Sequence, residues 1–332
     1  MTLAKLLVSA LGMAAVAAAA AFPISERELV TTTTLYTTST LTHYIASATT
    51  PSALATPAPS SSNGTDTKLP GIAYAPYRGD HNCKTEAQVN DDFSKFNGSY
   101  SLVRIYGTDC DQVSICHGAA KDIQVRLFLG IWDIDAVVEE AQKIIDGING
   151  DWDIVHTVSV GNELVNNGKA SPEKVVAAVK KARSILRTAG YKGPVVTVDT
   201  FVAAAAHPEL CRESDYCAIN AHGFFDSTIT ANEAGSWLTR TVASLQDTLP
   251  SDKKVMVTES GWPCKGLTNG LAVPGASEQQ AAITSIKKAF ANKMSDLILF
   301  SAFNTPWKAE EKATFNAEPF WGIDGAISSS DM

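Results

Sequence analysis

The chain has no dense run of lysine and arginine, and its 27 basic residues are outnumbered by 35 acidic ones, for a formal net charge of −8. A phosphate-backbone partner needs a basic face, so no nucleic-acid partner is expected, and a neutral or weakly polar one suits the balance better. No GxGxxG follows an early strand, which removes the signature of a dinucleotide-binding sheet. Beyond the first two dozen residues, no apolar run is long enough for a membrane span. The C-terminal AISSSDM shows no hydrophobic tail of the kind a GPI signal carries. Cysteines are few, and their spacing fits no familiar zinc pattern. His81, Cys83, Cys110, Cys116 and His117 do not make one, so no metal is expected.

What is present begins with a compartment. Lys5 precedes an apolar, Ala-rich run from Leu6 to Ala21, which reads as a secretory signal over residues 1–21. Residues 22–68 read as a disordered Ser/Thr-rich stalk. From Thr31 to Asp66, 18 of 36 residues are Ser or Thr, with Pro51, Pro57 and Pro59 among them, too polar to bury a core. The composition fits an O-glycosylated stalk or a plain linker. Asn63 (NGT) and Asn97 (NGS) are N-glycosylation sequons. In a secreted chain the six cysteines are expected to form at least two disulfides. The pairs 110/116 and 211/217 are close in sequence, which does not fix the connectivity.

Residues 69–332 alternate between short apolar runs and helical patterns. The runs are GIAYAPY (71–77), LVRIY (102–106), VRLFLG (125–130), TVSV (157–160), VVTV (195–198), CAIN (217–220), VMVT (255–258) and LILFSA (297–302). They are continuous rather than alternating, as in parallel strands buried on both faces. Among the helical patterns, SPEKVVAAVKKARSILRTAG offers Ser171 as a cap, Pro172 at the first position and Gly190 at the end. SEQQAAITSIKKAF has Ser277 and Gln280 in capping-box spacing. DIDAVVEEAQKIIDGING and TANEAGSWLTRTVASLQDTL also have helical spacing. Eight strands alternating with helices over roughly 250 residues predict a (β/α)8 TIM barrel, and 45% hydrophobic content can fill its core.

In such a barrel the C-terminal strand ends form the active face. Two strands there end in acids: SVGNE places Glu163 after the fourth, and VTESGWP places Glu259 after the seventh. Tyr106, Asp109, Asp133, Asp199, His222, Asn304 and Trp307 crowd the same rim. A lone glutamate is more often solvated or ion-paired. Two acids across one barrel mouth point to glycoside hydrolysis, with a nucleophile and a proton donor roughly 5–5.5 Å apart in a retaining enzyme. Burial and a neighbouring charge raise a carboxyl pKa, so the pair can set up its own division of labour. Asn162 can bond a sugar hydroxyl beside the reacting carbon, and Trp307 can face a sugar ring. Trp132, Phe224, Phe225 and Trp262, just past strand ends, are candidates to line an acceptor side. All the chemistry is carried by side chains, so no cofactor is implied.

SVGNE and VTESGWP resemble glycoside hydrolase family 17, the β-1,3-glucanase family of retaining barrels. The blocks RIYGTDC, FLGIWD, GDWDIVHTVSVGNELVNNG, GPVVTVDTFVAA and LFSAFNTPWKAEEKATFNAEPFWGI are similar to its fungal cell-wall glucanase and cell-surface mannoprotein group. The resemblance runs from about Gly71 to Gly325. It implies Glu163 as general acid/base, Glu259 as nucleophile and Asn162 as a sugar-binding residue, with Lys308 and Glu318 as supporting charges. Thr305 stands where plant members often carry a further acid. Strand six reads NAHGFFD where retaining barrels of this clan commonly place a tyrosine, leaving His222 or Tyr106 to orient Glu259. It implies a monomeric, secreted cell-wall enzyme whose partners are β-1,3-glucan, its oligosaccharides and wall polysaccharide. Its activity would be endo-1,3-β-glucosidase or β-1,3-glucanosyltransferase. The alternative is a non-catalytic glucan-binding wall mannoprotein or adhesin.

Overall fold

A computed structural model describes residues 69–331. The signal segment, the Ser/Thr stalk and the Asn63 sequon lie outside the described residues. Asn97 lies within them, exposed in a turn.

Eight parallel strands close into a barrel in sequence order. They are β1 Gly71–Ala73, β2 Leu102–Arg104, β3 Arg126–Ile131, β4 Val155–Asn162, β5 Val195–Thr200, β6 Cys217–Asn220, β7 Val255–Ser260 and β8 Leu297–Leu299. Around them run α1 Glu86–Ser94, α2 Gln112–Asp122, α3 Val137–Ile148, α4 Pro172–Thr188, the short α5 Phe201–Ala206 and α6 Glu209–Arg212, α7 Ala234–Gln246 and α8 Ala276–Ala289. The expected TIM barrel is the fold. The apolar runs are continuous because one face of each strand fills the barrel and the other meets the helices. Leu102, Phe128, Val196, Val198, Ala218, Met256 and Ile298 belong to the interior cluster, and a larger one lies between strands and helices.

Local chemistry sets the boundaries. Ser171 caps α4 by accepting from Lys174 N, Pro172 opens it, and Gly190 follows it at φ +95°, a left-handed position suited to glycine. Strand β1 is shorter than the apolar run suggests, and Tyr77 instead makes an isolated antiparallel bridge to Cys83. Helix α8 corrects the expected capping box. It starts at Ala276, so Ser277 lies inside the first turn and its hydroxyl donates to Glu278 Oε2 at 2.8 Å. True capping boxes sit at Thr85/Gln88 ahead of α1 and at Thr230/Glu233 in the 3-10 turn ahead of α7.

Two disulfides form, Cys83–Cys110 and Cys211–Cys217. The first ties the loop after β1 to the loop after β2, and the second joins α6 to the start of β6. The local 110/116 pairing is not made. Cys110 lies ahead of α2, whereas Cys116 points from that helix into the core. Cys116 and Cys264 stay reduced, Cys116 buried and Cys264 half-buried. Thiol titration of the denatured, unreduced protein should find two free thiols, from Cys116 and Cys264, rising to six after reduction. Any other unreduced count would overturn this pairing.

Candidate active site

A cleft of about 680 Å³ opens at the C-terminal ends of the strands. Glu163 and Glu259 both line it, and so do Tyr106, Asn162, His222, Trp307, Lys308 and Glu318. The residues expected to meet across the rim are therefore brought together.

Glu259 stands within β7 and is 5% exposed. Three groups, one in β2, one just past β2 and one just past β6, hold its carboxylate. Arg104 Nη1 donates to Oε1 at 2.9 Å, Tyr106 Oη donates to the same oxygen at 2.8 Å, and His222 Nε2 lies 3.2 Å from Oε2. A carboxylate only accepts, so His222 carries its proton on Nε2. The orienting role left open between His222 and Tyr106 is thus shared by both, one on each oxygen.

Arg104 is the residue that sequence reading missed. It is 1% exposed inside the barrel, with its guanidinium over the rings of Tyr106 and Phe128, 4.5 and 5.3 Å from their centroids. It lies in the run LVRIY, where one cation interrupts an apolar strand. Strand alternation puts residues 104 and 106 on the same side, so the inward tyrosine was the available signal. The same rule applies to Asn220, two residues before His222. Asn220 Oδ1 accepts from Arg104 Nη1 at 3.2 Å and from Thr258 Oγ1 at 2.9 Å. Its Nδ2 donates to Glu163 Oε1 at 2.9 Å and to Asn162 Oδ1 at 3.2 Å.

Asn162 and Glu163 are consecutive, so a regular strand would send them to opposite sides. The chain breaks that rule at this point. The β4–β5 register shifts between Ser159 and Asn162, Gly161 adopts φ +76°, and Glu163 itself adopts φ +54°. A left-handed non-glycine residue costs roughly 1–2 kcal/mol. Here it lets both side chains face the cleft. Asp199, in β5, secures the turn by accepting from the backbone N–H groups of Val165 and Asn166 at 2.9 and 3.2 Å. Asn162 Oδ1 also accepts from Arg104 Nη2 at 2.7 Å, which leaves its Nδ2 without a partner among the described residues and free to donate to a ligand.

The two carboxyls share one environment and diverge in charge. Burial, with the nearby Glu259 charge, pushes Glu163 up to about 8. Burial also pushes Glu259 upward, but the Arg104 charge and the hydrogen bonds from His222 and Tyr106 outweigh it and hold Glu259 below its ordinary value. At neutral pH the site therefore holds one carboxylic acid and one carboxylate.

Beyond the pair, Lys308 Nζ meets Glu318 Oε2 at 3.2 Å and lies 5.3 Å from the Phe300 ring. Trp307 packs edge-on to Tyr77 at 5.4 Å. Of the candidate acceptor aromatics, Trp132 lines the cleft. Phe224 and Trp262 do not. Both are fully buried and pack against each other beneath the loops, and Phe225 packs on Phe315 and Trp321. Position past a strand end could not separate a ring that lines the cleft from one that packs its loops. Cys83 and Cys110 are disulfide-bonded, which removes them from the His/Cys group weighed as a metal site.

The charge pattern predicts a stability effect with a definite sign. Glu163 sits above its unfolded value of about 4.3. Its contribution is fully present below that pH and is lost as pH rises through about 8. Glu163→Gln stays neutral, so its melting temperature should rise relative to wild type between about pH 5 and pH 9, and a flat difference would contradict the raised carboxyl. Arg104→Met should raise the Glu259 carboxyl and move the acid limb of kcat/KM to higher pH. A limb that stays in place would show that Arg104 does not hold the charge.

Residues 71–322 match the BtgE/BtgC glycoside hydrolase domain. The chain is 42% identical over 255 residues to the cell surface mannoprotein MP65 of Candida albicans, covering 76% of this chain and 66% of that protein. It is 43% identical over 255 residues to the probable family 17 glucosidase SCW10 of Saccharomyces cerevisiae, covering 76% of this chain and 64% of that one. The chain thus spans just under two thirds of the length of these relatives. Among solved structures, the family 17 β-1,3-glucanosyltransferase of Rhizomucor miehei shares the fold, with a TM-score of 0.66 at 21% identity, covering 81% of this chain and 98% of that one. The chain belongs to the BtgE/BtgC glycoside hydrolase domain family, in the fungal wall group of glycoside hydrolase family 17.

Proposed function

We propose that the protein is a retaining, β-1,3-glucan-active glycosidase of the fungal cell wall. The observation that carries this reading is one cleft in which Glu163 and Glu259 are both buried while Arg104, Tyr106 and His222 hold Glu259 alone. Glu259 attacks the anomeric carbon while Glu163 gives its proton to the leaving oxygen, so the glycosidic bond breaks as the Glu259 ester forms. Esterification removes the Glu259 charge that helped to raise Glu163. Glu163, having given up its proton, is therefore held ionised, and it takes the proton of the incoming acceptor as the acceptor oxygen bonds to the anomeric carbon and the Glu259 ester breaks. Asn162 Nδ2 donates to the hydroxyl beside the reacting carbon, and Trp307, Lys308 and Glu318 border the donor sugar.

The substrate class rests on the family. One neighbour in fold is a β-1,3-glucanosyltransferase, whose active-site mutant is known in complex with laminaritriose. Wall location rests on the N-terminal signal and stalk composition and on relatives named for the cell surface. In this reading residues 1–21 are the signal, 22–68 the stalk, and 69–332 a monomeric catalytic domain. Asn63 and Asn97 carry N-glycans. With water as acceptor the protein is a hydrolase, and with a glucan end it is a glucanosyltransferase. The glucan-binding adhesin reading would leave the opposed charge states of the two glutamates without a use.

Glu259→Ala should lower turnover of laminari-oligosaccharides on the order of 10⁴-fold while leaving binding largely intact, because the nucleophile acts in the transition state. Azide should partly restore this variant on substrates with activated leaving groups. Product analysis over time on a labelled laminari-oligosaccharide separates the two acceptors, since transfer gives products longer than the starting sugar. Equal binding by wild type and variant with no turnover by either would establish the adhesin.

A further inference from the structure

The strand order divides the cleft into two halves. In the proposed mechanism the leaving sugar, and later the acceptor, lies beside Glu163, the group that protonates it. Strand β3 pairs with β4, with Ile131 opposite Val160, so the loop after β3 stands next to the loop that carries Glu163. Trp307, Lys308 and Glu318 follow β8, which pairs with β7 and its Glu259. The acceptor half is therefore walled by the loop after β3, and Trp132 is the first residue of that loop.

At Trp132 the chain leaves the barrel, and its backbone N–H groups lose their strand partners. Glu140, in the first turns of α3, turns back to meet them. Its Oε2 accepts from Trp132 N at 2.6 Å, and its Oε1 accepts from Asp133 N at 3.2 Å. Its neighbour Glu139 faces outward and pairs with Lys143 at 2.9 Å. Glu140 makes no ion pair among the described residues. A half-buried acid without a cation is costly unless its oxygens are otherwise satisfied, and here both are spent on the backbone of two adjacent residues. Farther along the loop, the exposed Asp135 pairs with Lys174 of α4 at 2.7 Å. Just before the loop the chain is tight against the end of β2: a Cβ on Gly130 would meet the Tyr106 carbonyl oxygen at 2.3 Å.

We propose that Glu140 is a positioning residue that fixes Trp132 as the apolar wall on which the pyranose ring of the leaving or acceptor sugar rests. This rests on the glycosidase reading and deepens it. Glu140 sets how much binding energy is drawn from sugars beyond the scissile bond, and so the preference for long glucan chains over short ones. An aromatic wall rewards a substrate that reaches it and is indifferent to one that does not.

Two substrates separate this role from general support of the fold. Laminarihexaose fills the acceptor half, whereas β-laminaribiosyl fluoride has a one-atom leaving group that does not reach Trp132. The ratio of their kcat/KM values is the readout. Glu140→Gln and Trp132→Ala should each lower that ratio between about threefold and tenfold. The double variant should fall no further than Trp132→Ala alone, because Glu140 acts through the ring. Trp132→Phe, which keeps a ring in place, should restore most of it. Proportional loss on both substrates, an unmoved ratio, or multiplying losses in the double variant would overturn the inference while leaving the glycosidase reading intact. If the wild type turns over neither substrate, the glycosidase reading itself falls, and this inference with it.

Discussion

The site is organised by one buried cation. Arg104 reaches Glu259, the Thr258 carbonyl, Asn220 and Asn162 from a position inside the barrel, above the Phe128 ring. A guanidinium presents its donors in a fixed planar fork, so satisfying them fixes the acceptors in turn. Asn162 and Asn220 can each adopt only the amide orientation that turns oxygen toward the arginine. Their nitrogens are then committed, one to Glu163 and the other toward the cleft. Removing the cation would leave a carboxylate buried without its counter-charge and two amides without an instruction, a loss typically of about 3–5 kcal/mol for a broken buried pair.

From this follows the asymmetry between the acids. Both carboxyls are almost entirely shielded from water, Glu163 at 9% and Glu259 at 5% exposed, so burial alone would raise both. Only Glu259 touches the guanidinium. Glu163 is reached through the neutral Asn220 and feels the charge of its partner. A cation placed nearer one acid, with the hydrogen bonds of Tyr106 and His222 on that same acid, separates the two carboxyls in charge. The left-handed backbone at Glu163 and the register break behind it bring Glu163 to the same cleft.

Much of this was legible in the sequence because it lies at strand ends. Buried parallel strands are marked by continuous apolar runs, and Glu163, Glu259, Tyr106 and His222 stand at or just past the points where those runs stop, whereas Lys308 and Glu318, farther along the chain after β8, were legible only through the family resemblance. What could not be read lies within the runs or behind the loops. Arg104 and Asn220 sit inside segments that read as apolar, where a polar residue usually signals nothing. The larger apolar side chains that helices α1 and α2 bury are only Val89, Phe93, Val113 and Cys116, and polar Asp92 and Gln112 are buried among them, so their periodicity is faint. Phe224 and Trp262 hold the same apparent place in the sequence as Trp132, and only packing distinguishes them. Cys83 found Cys110 across two loops because the barrel brings the ends of β1 and β2 together, a proximity that sequence spacing does not contain.

The placement of the two cleft walls on separate strand pairs has a consequence for descent. The wall beside β3 and β4 and the wall beside β7 and β8 share few residues, and the arginine and its partners lie between them on the barrel axis. In the proposed mechanism, substitutions in the loop after β3 change the length of polymer that is handled without disturbing Glu163, Glu259 or the cation that separates them. On that reading, gene copies carrying this barrel can diverge in the polymer they accept while inheriting one unaltered pair of carboxyls.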